Sequence, residues 1–264
     1  MALREIDLRT YLAARNGVLV TKQGTDAKTK GAKAPARGGR SAVRLVDDVD
    51  TGGPAASEIV TTRQGKVRRG DEVRERILKA ALECFGAFGF EGTSTRAVAE
   101  RAEVTHTLVL YHFQSKDQLW IATMDAALTQ YAEAIKHNLE ASAGRTARDT
   151  LATFIDQFVR MSARQPQIHR ILTAEGNQQT HRLEWIVENF IRWHFTLVRD
   201  LIRRGQAEGT VRECDPARLY YLIIGAGGTL FTLSTEYKAM TNRDVFSEVE
   251  ILRNIAFIYE IVFT

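Results

Sequence analysis

Residues 103–113 read EVTHTLVLYHF, and the fold of the whole chain turns on them. Taken alone the stretch favours a strand, because Val104, Thr105, Thr107, Val109, Tyr111 and Phe113 are β-branched or aromatic. It also holds two histidines, His106 and His112. They stand six apart, whereas two metal ligands on one helical face need a spacing of three or four, so no shared metal is expected. The flanks decide the matter.

Upstream, Val73, Ile77, Ala80, Ala81, Cys84, Phe85 and Phe88 recur at helical spacing and Gly89 follows as a C-terminal cap, predicting a helix over 72–88. EGTST at 91–95 then offers Thr93 or Ser94 as N-cap for a short helix at about 95–102, with Val98 and Ala99 turned to the first. Downstream, Ser115 followed three residues later by Gln118 fits a capping box, which starts another helix near Lys116 that runs through Trp120, Met124, Leu128 and Tyr131 to about 139. Between helical neighbours the opening stretch reads as a helix over 106–112. Val109 and Phe113, four apart, share its buried face, while His106, Thr107, Leu110 and Tyr111 share the outer one. Helices 95–102 and 106–112 with their tight turn form a helix-turn-helix whose second member is the recognition helix. Phe85, Phe88, Val98, Val109 and Phe113 are assigned to the core, with no cofactor implied.

The chain has 264 residues and 44% hydrophobic content, enough for a substantial core. Its charge is uneven. Residues 1–70 hold 14 Lys and Arg against 7 Asp and Glu, leaving 22 against 25 of the chain's 36 and 32. The same segment has nine of the 19 glycines, two of the four prolines and a single aromatic, Tyr11. With so little to bury, 1–70 is expected to be a basic, mostly disordered extension. Its centre, KTKGAKAPARGGR at 28–40, is either a solvated leader or an arm that adds sequence-independent affinity for phosphate. Cys84 and Cys214 lie far apart and outside any CxxC, which suits a reducing cytoplasm and gives no zinc spacing. The longest uncharged run, 219–235, is short and contains three glycines, so no membrane span is expected.

From 76 to 120 the residues RILKAALECFGAFGFEGTSTRAVAERAEVTHTLVLYHFQSKDQLW resemble the N-terminal DNA-binding domain of TetR family transcriptional regulators. The carrying features are an aromatic-Gly-aromatic-x-Gly-Thr-Ser turn, a small-residue helix-turn-helix and Tyr-His-Phe-x-Ser-Lys. The resemblance implies an all-α, TetR-like fold, with a DNA-binding domain at 71–131 (helix-turn-helix 94–113) and a helical regulatory and dimerisation domain at 132–264. It implies that the recognition helix enters the major groove, with the starts of the neighbouring helices on the flanking phosphates. Thr95 and Arg96 match contacts at the start of the second helix. Thr105, His106, Thr107 and Leu108 match the leading turn of the recognition helix. Tyr111, His112 and Lys116 match contacts to the DNA backbone. Hydroxyl, imidazole and ammonium groups all donate to phosphate oxygen, so the chemistry agrees. The sequence departs from the family at Glu103, where the turn usually carries Gly, at Thr107, also commonly Gly, and at Leu110, commonly a tyrosine.

Further on, the pattern predicts helices at about 146–163, 166–175, 181–207, 215–237 and 243–262. The last two are apolar around much of their circumference, as helices buried on more than one side are. A four-helix homodimer interface is expected from Leu222, Gly225, Ala226, Gly228, Ile251, Ile255 and Ile258. Aromatics concentrated in the middle helices suit an apolar cavity, with Phe154, Phe158, His169, Glu175, Trp185, Trp193, His194 and Tyr220 as candidate lining. No Ser/His/Asp set, Gly-rich phosphate loop or carboxylate pair marks an enzyme. The sequence thus points to a cytoplasmic, homodimeric repressor, without cofactor or metal, that is released from a palindromic operator in double-stranded DNA by a small apolar or amphipathic effector. The alternative is a nucleoid-associated or division-regulating protein of the same fold that acts through a protein partner.

Overall fold

A computed structural model describes the backbone of residues 56–141 and 144–264, and the side chains of 70–137 and 144–264. The described residues fold as helices in the order α1 (Ala56–Gly92), α2 (Thr95–Arg101), α3 (His106–Phe113), α4 (Lys116–Ala141), α5 (Ala147–Arg164), α6 (Pro166–Gly176), α7 (His181–Ile186), a π-helical turn (Val187–Ile191), α8 (Arg192–Ala207), α9 (Pro216–Thr232), α10 (Ser234–Thr241) and α11 (Glu248–Val262). The only β-type pairing among them is an isolated bridge between Val211 and Phe263.

α1 begins at Ala56, earlier than the apolar periodicity predicts, so residues 56–70 of the segment expected to lack order are helical. No proline follows Pro54 before Pro166, and extending an existing helix fixes one residue per new hydrogen bond, far less than a nucleus demands. The rest of that extension, including the basic stretch 28–40, lies outside the described residues. At its other end α1 turns sharply at Gly89, whose φ of 69° suits a residue without Cβ. Thr93 is buried and donates its hydroxyl to the Gly89 carbonyl (2.7 Å), which leaves Ser94 to cap α2 by accepting from the Ala97 N–H (3.1 Å).

The first four helices close around Ile77, Ala81, Cys84, Phe85, Val98, Val109, Phe113, Leu119 and Trp120, all buried. Phe88 is not among them. It is 65% exposed, and Phe90, past the bend, stacks on Phe85 with ring centroids 6.0 Å apart. The bend at Gly89 swings the next aromatic inward and leaves Phe88 on the outer side. Glu103 takes the left-handed conformation (φ 55°) that the turn between α2 and α3 requires, a strain of roughly 1 kcal/mol for a residue with a Cβ. The cap of α4 is half of the expected box: the Gln118 N–H donates to Ser115 Oγ (3.1 Å), but the Ser115 N–H goes to the Phe113 carbonyl (2.6 Å).

In the second half α5, α6, α8, α9 and α11 pack side by side. Contact is closest where α9 has glycine: a Cβ on Gly227 would meet the Phe158 ring at 2.7 Å, and one on Gly228 would overlap the His169 ring. Buried Asn254 ties α11 to α9 through the Ala226 carbonyl (3.1 Å), and the Tyr259 hydroxyl ties it to α5 through the Ala152 carbonyl (2.8 Å). The single helix expected over 215–237 breaks at Leu233 (ψ 24°), giving α9 and α10, and the last helix starts at Glu248, capped by Ser247. No helix among the described residues is long and apolar enough to cross a membrane.

Candidate functional site

The outer face of α3 is built from its first turn. Thr105 is extended and its hydroxyl accepts from the Leu108 N–H (3.3 Å), so the helix begins at His106 with its free N–H groups pointing outward. Thr95 and His106 share a hydrogen bond between Oγ1 and Nε2 (2.9 Å), which pins the start of α2 to the start of α3. Around this pair Arg96 and Thr107 are exposed, Leu110 is 38% exposed and Tyr111 79%, while Leu108 and His112 are half-buried. Tyr111 and His112 meet edge to face at 5.4 Å. The buried side of the same helix is Val109 and Phe113, as the four-residue spacing requires. Arg74 of α1 lies over the Phe113 ring at 5.5 Å.

Lys116 has a second role that its sequence position does not announce. Its ammonium donates to the Phe90 carbonyl (3.0 Å) and lies 4.2 Å from the centroid of the Phe90 ring, so it caps the end of α1. A second cation at that ring is Arg182, 3.7 Å from its centroid and buried, which pairs with buried Glu175 (2.9 Å). Thr180 donates its hydroxyl to the same carboxylate (2.9 Å), and neighbouring His181 contacts Asp117 of α4 at 3.1 Å. The end of α6 and the start of α7 therefore sit against the head of the molecule. α6 also packs directly on α1: a Cβ on Gly86 would lie 2.6 Å from Gln167 Cβ.

Behind this contact lies a cavity of about 540 Å³ between α4, α5, α6, α8, α9 and the π-helical turn. Of the expected lining residues Phe158, His169, His194 and Tyr220 face it, and Phe154, Glu175, Trp185 and Trp193 do not. Phe154 meets His194 at a tilt (5.4 Å) and stacks on Phe158, Glu175 is held by Arg182, and Trp185 packs edge-on against Trp120 (6.2 Å). Trp193 lies on the far side of His194, with centroids 6.4 Å apart. Tyr131 and Ser162 face the cavity without having been expected there. Ser162 stands four residues after Phe158 on α5, a spacing that could have found it. The π-helical turn brings Val187, Phe190, Ile191 and His194 to the cavity together, a local irregularity of the kind found at functional sites.

The cavity holds a buried hydrogen-bond chain. Tyr131 OH lies 3.2 Å from His194 Nε2, and Tyr220 OH 3.0 Å from His194 Nδ1. Burial pushes the His194 imidazole down to about 4 and lowers His169 as well, so both are neutral near pH 7. Desolvation raises both tyrosine hydroxyls above their usual range. Among the described residues no group of three or more His, Cys, Asp or Glu is placed to hold a metal.

The expected dimer residues divide. Ile251, Ile255 and Ile258 are buried within the single chain, and Gly228 faces His169. The apolar groups that α11 leaves outside are Val249 (58% exposed), Leu252 (48%) and Phe257 (56%), spaced by three and five on its outer side. α9 adds exposed Leu222 and Tyr221, the latter also at the edge of the cavity, with Ala226 half-buried, whereas Gly225 opens onto the cavity.

A helix-turn-helix head carried on an all-α body with a cavity suits the class of DNA-binding regulators. Comparison with known proteins agrees. The family pattern described as bacterial regulatory proteins, tetR family, matches residues 77–123, and the tetracyclin repressor-like C-terminal domain matches 148–262. The HTH-type transcriptional repressor Rv3405c of Mycobacterium tuberculosis (strain H37Rv) is 32% identical over 127 residues, 44% of this chain and 68% of that protein. The HTH-type transcriptional regulator RutR of Escherichia coli (strain K12) is 27% identical over 176 residues, 67% of this chain and 82% of that protein. A crystal structure of a linker-substituted mutant of HlyIIR shares the fold, with a TM-score of 0.60 at 20% identity, covering 74% of this chain and 97% of that one. The chain belongs to the TetR family and is a DNA-binding transcriptional regulator.

Proposed function

We propose that the chain is a homodimeric repressor of an inverted-repeat operator in double-stranded DNA, released when a small apolar or amphipathic molecule enters the cavity. The observation that carries this reading is the outer face of α3, where Thr107, Leu110 and Tyr111 stand exposed beside the Thr95–His106 pair. Thr105 to Leu108 would meet base edges. Thr95, Arg96, Tyr111, His112 and Lys116 would donate to phosphates on either side. A second copy joined through the outer sides of α9 and α11 supplies the other half-site, as palindromic operators require.

Release follows from the packing of α6. An effector that prefers one arrangement of the cavity walls shifts the population of that arrangement, and it acts only through this difference in affinity. The Gly86–Gln167 contact and the Glu175–Arg182–Phe90 chain carry such a shift to the end of α1, where Lys116 is held. Genome-wide footprinting in the native host tests the reading. A few palindromic sites at promoters are expected. Many dispersed sites would favour the nucleoid-associated alternative, and no sites would overturn the regulator of a palindrome.

A further inference from the structure

The cavity specifies the chemistry of its occupant more narrowly than its size does. Not one of the residues lining it is Lys, Arg, Asp or Glu. Buried Glu175 and Arg182 lie outside the lining and are spent on each other, and in the adjoining pocket that shares Tyr131, Met161 and Gln165 with the cavity Arg160 is paired with Asp156 and Glu248 while Arg164 stands exposed. A carboxylate, phosphate or ammonium carried into this space would lose its hydration with no opposite charge to receive it.

The lining also carries neutral polar side chains, Gln165, His169, Thr173, Asn177 and Thr229 among them, and two of its polar features are buried with unspent hydrogen-bonding capacity. Ser162 is 2% exposed, lines the cavity, and its Oγ makes no hydrogen bond with the protein. A buried hydroxyl without a partner is unfavourable in the empty site and is relieved by an occupant that bonds to it. The second feature comes from counting protons along Tyr131–His194–Tyr220. A neutral imidazole has one N–H and one lone pair, so one tyrosine must donate to the ring and the other must accept from it. The tyrosine that accepts keeps its own O–H unspent, whichever tautomer is present. Both hydroxyl-bearing rings line the cavity. The site therefore presents an unspent phenolic O–H and a serine hydroxyl in apolar surroundings formed by residues such as Phe158, Phe190 and Ile224.

We infer that the effector is an uncharged molecule with a largely apolar body and an acceptor oxygen, of the ester, ketone or lactone kind, taken up by Ser162 and the Tyr131–His194–Tyr220 chain. The inference rests on the reading of this cavity as the effector site. Organic acids, amines and phosphorylated metabolites are excluded as occupants.

Titration calorimetry of the purified full-length protein near neutral pH, with methyl octanoate, octanoate and octylamine as probes of one apolar body and three head groups, tests it. The ester should bind saturably and at least about tenfold more tightly than either ion, given the penalty of burying an unpaired charge. Ser162→Ala should weaken the ester by roughly threefold to tenfold, the worth of one hydrogen bond, without lowering the stability of the free protein. An ion that binds as well as the ester, or no saturable binding of the ester, overturns the inference. So does a Ser162→Ala protein that holds the ester unchanged. Binding of the same preparation to its footprinted DNA is read separately. Site binding without ester binding removes this inference and keeps the regulator, whereas ester binding without site binding does the reverse.

Discussion

Lys116 Nζ donates to the carbonyl of Phe90 at 3.0 Å while its charge rests 4.2 Å from the centroid of the same residue's ring. A residue matched to a DNA phosphate contact is thus also the cap that finishes α1. Lys116→Ala should weaken binding to every DNA sequence by a similar factor and reduce the salt slope by about one. Unlike a surface lysine, it should also lower thermal stability, by about 1 kcal/mol for the lost hydrogen bond and cation–π contact. Affinity titrations at several salt concentrations and a melting curve check both halves. A loss of affinity with unchanged melting would remove the capping role.

Thr107 stands exposed in the leading turn of α3, so its replacement should leave the fold intact. Thr107→Ala should change which bases are preferred at one position of each half-site, by about 1–3 kcal/mol between best and worst base. Selection of randomised operators with both proteins reads this directly. Identical preferences would take Thr107 out of the base-reading set.

Two faces of α11 separate association from folding. Leu252 is 48% exposed on the outer side and Ile255 5% exposed on the inner. Leu252→Glu should yield a folded monomer in sedimentation, with helical content unchanged. Ile255→Ala should keep the dimer and lower stability by about 2–5 kcal/mol through the cavity it leaves. If Leu252→Glu remains dimeric, the outer stripe is not the interface.

His194 makes stability depend on pH. Burial lowers its imidazole to about 4 when folded, against about 6.5 for an unperturbed histidine, so the unfolded chain binds more protons between these limits. Stability is therefore held above about 6.5 and falls as pH drops toward about 4, by on the order of 3 kcal/mol in total. Denaturant midpoints across this window should show a slope that His194→Phe reduces. An equal slope in both proteins would place the titration elsewhere.

The head was legible in the sequence because each of its signals is local. Caps at Ser94 and Ser115, the spacing of Val109 and Phe113 and the Tyr-His-Phe pattern outweigh the strand propensity of 103–113, and α2 and α3 lie within a residue of their expected bounds, whereas the cap that Thr105 supplies to α3 was not read from the sequence. Phe88 was misread because periodicity assumes that the helix continues, and Gly89 bends it. In α11 periodicity shows that Ile251, Ile255 and Ile258 are buried but not by what, so residues packed within one chain were assigned to a partner. The cavity was legible only in part for a similar reason. Aromatic content marks the region and the spacing from Phe158 points to Ser162, whereas the facing of Tyr131 depends on the rotation of α4, and that of Val187 and Phe190 on a π-helical turn, neither of which any pattern in the sequence encodes.

The central claim is that two copies of α3, joined through α9 and α11, read one palindrome. Hydroxyl-radical footprinting on the strongest genomic site compares the wild-type protein with Leu252→Glu. Protection symmetric about the dyad of an inverted repeat is expected for the wild type, and loss of that protection at the same protein concentration for the variant. Protection without dyad symmetry, or a footprint that the folded monomeric variant reproduces in full, would contradict it.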